Sequence, residues 1–289
     1  MLNLKPLQTL VLGILLLNSC KKDEPEQTEP MLIVKIAVDS TQERLGNTGS
    51  PTPMPSGHAG QHPLFNKISA HYLELAPSAL TLLGQGAILY HAPETQAGGD
   101  TAIDFQRATA VKPGEVFLKV PLKNITPGSY EWVRLSVSYQ NYDIQFRYAG
   151  NDYTSTVASF VGYNNYITNL LVKNQSVSVN ANKKQGFWAF ETPLNVVTGQ
   201  SPPGATTVPN PLFNTSPIPQ GSCVVTGRFS ENLVITGNEA SDVSITLSLS
   251  TNNSFEWIDT NGNGLWDVDT SGVEQVVDMG LRGLVPKKQ

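Results

Sequence analysis

The segment NITPGSYEWVRLSVSYQNYDIQFRY, residues 124–148, decides the fold class, because a Pro-Gly turn leads into one long alternation of apolar and polar side chains. Val133, Leu135, Val137 and Tyr139 recur at every second position. A β-strand turns every second side chain to the same face, so these four predict one buried face. The spacing continues with Ile144, Phe146 and Tyr148.

The same alternation recurs along the chain, for example at Leu32, Val34, Ile36 and Val38. No segment keeps a period of 3.6, and the 24 glycines and 20 prolines favour many short strands joined by turns. The sequence therefore predicts an all-β fold, a β-sandwich of antiparallel strands with long Pro/Gly-rich loops. One such exposed loop is expected over residues 40–63.

We divide the chain into five segments. They are a lipoprotein signal peptide (1–19), a lipidated cysteine with a flexible tether (20–31), a β-sandwich body (32–192), a Pro-rich loop (193–219), and further strands with a calcium-type loop (220–289). The last segment has about four or five strand signals, whereas a separate sandwich needs about seven. We expect it to complete the first sandwich; a small second domain is the alternative.

The N-terminus is typical of an exported protein. The apolar run at residues 10–17 follows Lys5 and is too short to span a bilayer, which takes about 20 residues. Leu17-Asn18-Ser19-Cys20 resembles a bacterial lipobox, which implies cleavage after Ser19 and lipidation of Cys20. The alternative is an ordinary signal peptide with a chance cysteine.

The residues after Cys20, KKDEPEQTEP, are charged and lack an apolar face, so they predict a disordered tether. Lys21, in place of an Asp, resembles the residue that follows the cysteine in outer-membrane lipoproteins. CKKDEPE is similar to the tethers of surface-exported lipoproteins of Bacteroidota, which implies display toward the cell exterior. With Cys20 acylated, Cys223 is expected to be a buried free thiol.

The charge and the motifs exclude several functions. The net charge is −5 and no Lys/Arg cluster occurs, so nucleic-acid binding is not expected. A nucleophile elbow, a zincin helix, a phosphate loop and a dinucleotide fingerprint are all missing from the sequence. We therefore expect a non-enzymatic binding or scaffold protein, with the membrane as one partner and an unidentified protein or small molecule as another.

The stretch DTNGNGLWDVD, residues 259–269, carries the spacing of a calcium loop. Alternate side chains of a tight loop point inward and supply the six to eight oxygens that Ca²⁺ takes. The candidate ligands are Asp259, Asn261, Asn263, the Leu265 carbonyl and Asp267, with Asp269 or Glu274 as the further carboxylate.

This loop departs from an EF-hand, because Thr270 stands where a bidentate Glu belongs and a strand-like segment precedes it. It is more similar to the oxygen-rich DxNxNG loops of β-rich secreted proteins. The alternative is a plain hairpin in which the Asn-Gly pairs only form turns.

His58 and His62 in HAGQH are candidates for copper or another soft metal, although their spacing of four has no geometric meaning outside a helix. The alternative is solvated loop histidines. His71 and His91 lie on, or at the ends of, strand-like runs.

Four pieces within residues 67–192 resemble the MbnP-like proteins, a copper-associated family of β-sandwich envelope proteins. The pieces are KISAHYLELAPSALTLLGQGAILYH, AIDF, VPLKNITPGSYEWVRLSVSYQ and GFWAFE. The resemblance implies a β-sandwich and, as an alternative function, copper or metal handling. Ser138-Tyr139-Gln140 stands where that family has Gly-Val-Asp.

A third alternative is a surface glycan-binding accessory or enzyme, because exposed tryptophans stack on sugars. Core packing is the simpler interpretation of the tryptophans, which are Trp132, Trp188, Trp257 and Trp266.

Overall fold

The computed structural model describes residues 29–201, 217, 222–269 and 272–289. The predicted signal peptide, Cys20, most of the tether and most of the Pro-rich loop lie outside these residues. Within them the chain is almost entirely β-structure and contains no α-helix, so the prediction of an all-β, sandwich-like fold is confirmed.

The described strands are β1 (Met31–Asp39), β2 (His58–Gln61), β3 (Leu64–Ala76), β4 (Ala87–His91), β5 (Glu94–Thr95), β6 (Ala102–Asp104), β7 (Ala110–Val111), β8 (Val116–Pro121), β9 (Gly128–Tyr148), β10 (Asn151–Phe160), β11 (Asn165–Leu171), β12 (Ser176–Lys183), β13 (Phe187–Glu191), β14 (Val196–Gln200), β15 (Cys223–Ile235), β16 (Val243–Ser250), β17 (Phe255–Ile258), β18 (Val268–Asp269), β19 (Gly272–Val273), β20 (Val276–Met279) and β21 (Arg282–Lys288). A 3-10 helix, Leu122–Asn124, follows β8.

The central sheet is organised around β9, the long strand predicted from its alternation. The strand order is β14-β13-β10-β9-β3-β4, with β15 also paired to β9 and β7 to β3. Along one edge, β9 pairs first with β15 and then with β10; along the other edge it pairs with β3.

A second sheet, in the order β21-β16-β1-β8, covers one face of the central sheet. Leu32, Val34 and Ile36 of β1 are fully buried in the core between the two sheets, as their spacing predicted. Strands β15, β16 and β21 all come from the C-terminal segment, so that segment contributes to both sheets. The β1–β16 and β6–β11 pairings are parallel, unlike the antiparallel pairing expected.

A third sheet, β12-β11-β6-β5, packs on the opposite face of the central sheet. Strand β10 shows why both faces are covered: Val157 lies in the first core, whereas Ala158 and Phe160 lie in a second core. The described part of the chain therefore has three layers.

The alternation predicted from Val133 to Tyr139 is broken at Ser138. In the pairing with β3, Val137 faces Ala70 and Tyr139 faces the next residue, Ser69, so Ser138 is an extra residue in β9. Val137 belongs to the first core and Tyr139 to the second, and the prediction that they share a face is wrong. A bulge of this kind reverses the inward and outward positions that follow it.

A small sheet, β2-β17-β20, carries the calcium-type loop. Its strand β2 lies inside the segment predicted to be an exposed loop, and Arg44 of that segment is buried. The prediction failed there because β2 has no apolar alternation and is held by backbone pairing with β17.

Cys223, predicted to be a buried free thiol, begins β15 and is partly buried. Within the described chain it has no disulfide partner. Burial, and secondly the charge of Asp278, raise the pKa of its thiol to about 12. Because the thiolate is the reactive form, Cys223 is expected to be inert at neutral pH.

Candidate metal centres

The calcium-type loop leaves β17 and is organised by the Asp259 carboxylate. Asp259 Oδ1 accepts the backbone N–H groups of Gly262 (2.8 Å) and Asn263 (3.2 Å), and Oδ2 accepts that of Gly264 (2.9 Å). Both glycines have φ near +70° (73° and 72°), a conformation that glycine adopts without steric cost. The first acidic residue of the motif therefore closes the loop.

The two asparagines and Asp267 converge on one side of this loop. Asn261 Nδ2 and Asn263 Nδ2 donate to the same oxygen, Asp267 Oδ2, at 2.8 and 2.7 Å. Their Oδ1 atoms accept the backbone N–H groups of Asn263 (3.0 Å) and Leu265 (2.7 Å). Two N–H donors thus point at the Asp267 carboxylate. A bound cation would take the place of these two donors.

Glu274 fastens the far end of the loop. Its Oε1 accepts the backbone N–H (2.8 Å) and the hydroxyl (3.0 Å) of Thr260, and its Oε2 accepts the backbone N–H of Asp267 (3.1 Å). Its carboxylate is therefore already used in joining the two sides of the loop. Asp269 is exposed and lines, together with Asp267, an open cleft of about 610 Å³ beside the loop. Thr270 lies outside the described residues.

Trp266 anchors the loop on the body. Its indole N–H donates to the Glu274 carbonyl (3.0 Å), and its ring lies 5.0 Å from the Phe255 ring and 6.3 Å from the Phe146 ring between centroids. The side chains of Trp266 and of the buried Trp257 therefore pack within the protein. They do not form a surface on which a sugar could stack.

His58 and His62 have different partners. His58 Nδ1 lies 2.6 Å from Glu256 Oε1, whereas His62 Nδ1 accepts the backbone N–H of Asn253 at 2.9 Å. The two imidazoles share no hydrogen-bond partner.

A different histidine cluster forms where β3, β4 and β5 meet. Ligand atoms of His71, His91 and Glu94 lie within 4.8 Å of one another, and no other group of three or more His, Cys, Asp and Glu side chains in the described chain is this close. His71 Nε2 is 2.9 Å from Glu94 Oε1, and His91 Nε2 is 4.0 Å from the same oxygen. His71 is fully buried, whereas His91 and Glu94 are partly open to solvent.

The environment keeps His71 neutral. Burial lowers the pKa of its imidazole to about 4; the hydrogen bond that the ring donates to Glu94 opposes this shift, and the charge of His91 adds to it. A neutral imidazole keeps the lone pair with which histidine binds metals.

The sequence did not reveal Glu94 as part of this cluster. The separation of three residues between His91 and Glu94 was the available signal, but the meeting of β4 with β5 and the position of His71 depend on tertiary pairing.

No family model, curated protein or solved structure matches this chain. In the part of the chain that the structure describes, no helix has the length and apolar character needed to cross a membrane.

Proposed function

We propose that this protein is a non-enzymatic, lipid-anchored binding or scaffold protein of the outer membrane, stabilised by a calcium ion in the loop at residues 259–269. The observation that carries the calcium site is the convergence of Asn261 and Asn263 on the Asp267 carboxylate, in a loop that Asp259 already closes.

Calcium fits this loop by a small rearrangement. The oxygen and nitrogen of an asparagine amide exchange places by a 180° rotation, and their assignment follows the hydrogen-bond network. Rotation of Asn261 and Asn263 turns two donors into two acceptors around Asp267, and it gives up the hydrogen bonds that their Oδ1 atoms accept from the backbone N–H groups of Asn263 and Leu265. Together with the Asp259 carboxylate and the Leu265 carbonyl, they form the all-oxygen set that Ca²⁺ prefers.

The charge of the site indicates weak binding. Two neutral asparagines replace the aspartates of stronger sites, and Glu274 is occupied by Thr260 and Asp267. Calcium modules outside the cell bind with dissociation constants of about 10⁻⁴ to 10⁻³ M, and we expect this range. The ion would hold the loop that packs Trp266 against Phe255, and so it would stabilise the folded chain.

Thermal and chemical unfolding of the full chain, with 10 mM calcium and with a chelator, tests the site. At about 10 to 100 times the dissociation constant, calcium should stabilise the fold by about 1 to 3 kcal/mol. Asp259→Ala should abolish the difference between the two conditions, whereas the exposed control Asp100→Ala should retain it. The absence of any shift at millimolar calcium would refute the site.

The anchor is tested separately, because Cys20 and the calcium loop have no residue in common. Metabolic labelling with a palmitate analogue should mark the unmodified protein and Cys223→Ala, but not Cys20→Ala. The Cys20→Ala chain should also leave the membrane fraction, and protease treatment of intact cells should degrade the unmodified protein if it faces outward. Retention of Cys20→Ala in the membrane would contradict the lipid anchor.

A further inference from the structure

We infer that His71, His91 and Glu94 bind a transition-metal dication of the Zn²⁺ class, at a site separate from the calcium loop. Two imidazoles and one carboxylate are a ligand set that zinc uses, with a coordination position left open. The inference does not depend on the calcium site, since none of its residues lies in the loop at 259–269.

A β-bulge aims His71 at this site. In the pairing of β3 with β9, Ala70 faces Val137 and Tyr72 faces the next residue, Ser136, so His71 is an extra residue in β3. Bulges redirect side chains and are common beside functional sites. The His71 ring stacks on Tyr163 at 5.6 Å between centroids, on the side where the third sheet begins.

His91 is oriented for a metal by its own backbone neighbour. Its Nδ1 lies 3.1 Å from the Ala92 carbonyl, which can only accept a hydrogen bond. With the proton on Nδ1, the lone pair of Nε2 faces Glu94. A second hydrogen bond of this kind fixes the tautomer of metal-binding histidines.

Glu94 supplies the negative charge. In the described part of the chain its carboxylate pairs with His71 and His91 and with no lysine or arginine. A buried imidazole and a carboxylate with no cationic partner together form a site that a dication would neutralise.

The ligand atoms of this cluster can reach zinc-binding distances by side-chain movement alone. Zinc bonds of about 2.0 to 2.2 Å place neighbouring ligand atoms roughly 3 to 3.5 Å apart. His71 Nε2 and Glu94 Oε1 are 2.9 Å apart. His91, whose side chain is 39% exposed, has to move inward, since its Nε2 is 4.0 Å from the same Glu94 oxygen and the three ligand atoms are spread over as much as 4.8 Å. The fixed ligand is thus the buried one, and the ligand that must move is the exposed one.

His71 also sets a limit on affinity. When Nε2 binds the metal, the imidazole proton must lie on Nδ1, which is buried and has no hydrogen-bond partner in the described structure. We therefore expect weaker binding than in a structural zinc site with four protein ligands.

Zinc titration of the chelator-treated full chain, in competition with a chromogenic chelator, tests the site, with Co²⁺ absorption as a second readout. We expect one equivalent to bind, and His91→Ala and Glu94→Gln each to weaken binding by about 100-fold or more. The control His62→Ala removes a histidine outside the cluster and should leave the affinity unchanged. Both test positions are partly exposed, so the variants should fold, and circular dichroism checks this.

Two further zinc-binding measurements distinguish this site from the calcium loop. Excess calcium should not displace zinc, and Asp259→Ala should bind zinc as the unmodified chain does. Tighter binding of Cu²⁺ that is lost in the same two variants would also support the site, because copper exceeds zinc at most nitrogen and oxygen sites. Absence of stoichiometric binding, or equal affinity in the unmodified chain, His91→Ala and Glu94→Gln, would overturn the inference.

Discussion

Glu191, at the end of β13, shows how a single carboxylate can fix a turn in this molecule. It is 7% exposed and accepts the backbone N–H groups of Lys173 (2.8 Å), Asn174 (3.0 Å) and Gln175 (3.1 Å), three successive residues between β11 and β12. Burial alone would raise the pKa of this carboxyl, but the hydrogen bonds outweigh it and the pKa lies below its usual value. The charged form is therefore the one that the folded chain favours.

Replacing Glu191 by Gln should lower the free energy of unfolding by about 1 to 3 kcal/mol at pH 7, because hydrogen bonds to a charged acceptor are lost. A carboxyl whose pKa is depressed in the folded state stabilises the fold above its unfolded pKa, and this stabilisation is lost as the pH falls through the folded pKa. Denaturant unfolding at pH 7 and at acid pH should therefore show the variant approaching the unmodified chain in acid. The exposed control Glu43→Gln should stay within about 0.5 kcal/mol. An equal loss at both pH values would show that packing, not charge, explains the effect.

Residues close in the sequence were the ones that could be predicted. The calcium-type spacing from Asp259 to Asp267 lies in one loop, and the structure gathers those side chains there. The cluster of His71 and Glu94 was missed because it requires a bulge in β3 and contact with β5. Alternating hydrophobicity predicts a strand but does not predict where an extra residue will interrupt it.

The small sheet is held by a buried charge network. Glu256 of β17 is 2% exposed and pairs with Arg44, with Arg282 of β21 (3.1 Å) and with His58 of β2 (2.6 Å). Burial would raise the pKa of Glu256, but the hydrogen bonds from His58 and Arg44 bring it below its usual value. Arg44 is 212 residues away in sequence, so composition and spacing gave no sign of this pairing.

Glu256→Gln should therefore cost about 3 to 5 kcal/mol, since it leaves the buried Arg44 guanidinium without its carboxylate. Denaturant unfolding of purified protein measures this loss. The control Asp152→Asn breaks the exposed pair with Arg147 (2.8 Å) and should cost about 1 kcal/mol or less. Similar losses in the two variants would mean that burial of the network contributes nothing.

At the scale of the whole molecule, the layered architecture explains both the success and the failure of prediction from the sequence. A period of two indicates strands whichever sheet they join, so β1 and β9 were predicted. Which faces pack together depends on pairings such as β1 with β16, whose partners are about 210 residues apart. The third layer follows from the second apolar face of β10, where Ala158 and Phe160 alternate with Val157.

A substitution at Gly227 tests how closely the central sheet and the second sheet must pack. It lies in β15 of the central sheet, and a Cβ there would be 2.5 Å from the Leu284 carbonyl oxygen and 2.7 Å from Pro286 Cδ, both in β21 of the second sheet. Because backbone on each side would have to move, Gly227→Ala should cost about 1 to 3 kcal/mol through overpacking. Gly128→Ala, in β9, is the control, since its nearest neighbour would be Tyr130 at 3.7 Å, an ordinary contact. Thermal unfolding should show a lowered Tm for Gly227→Ala alone, and an unchanged Tm would mean that the two sheets can separate at this edge without loss of stability.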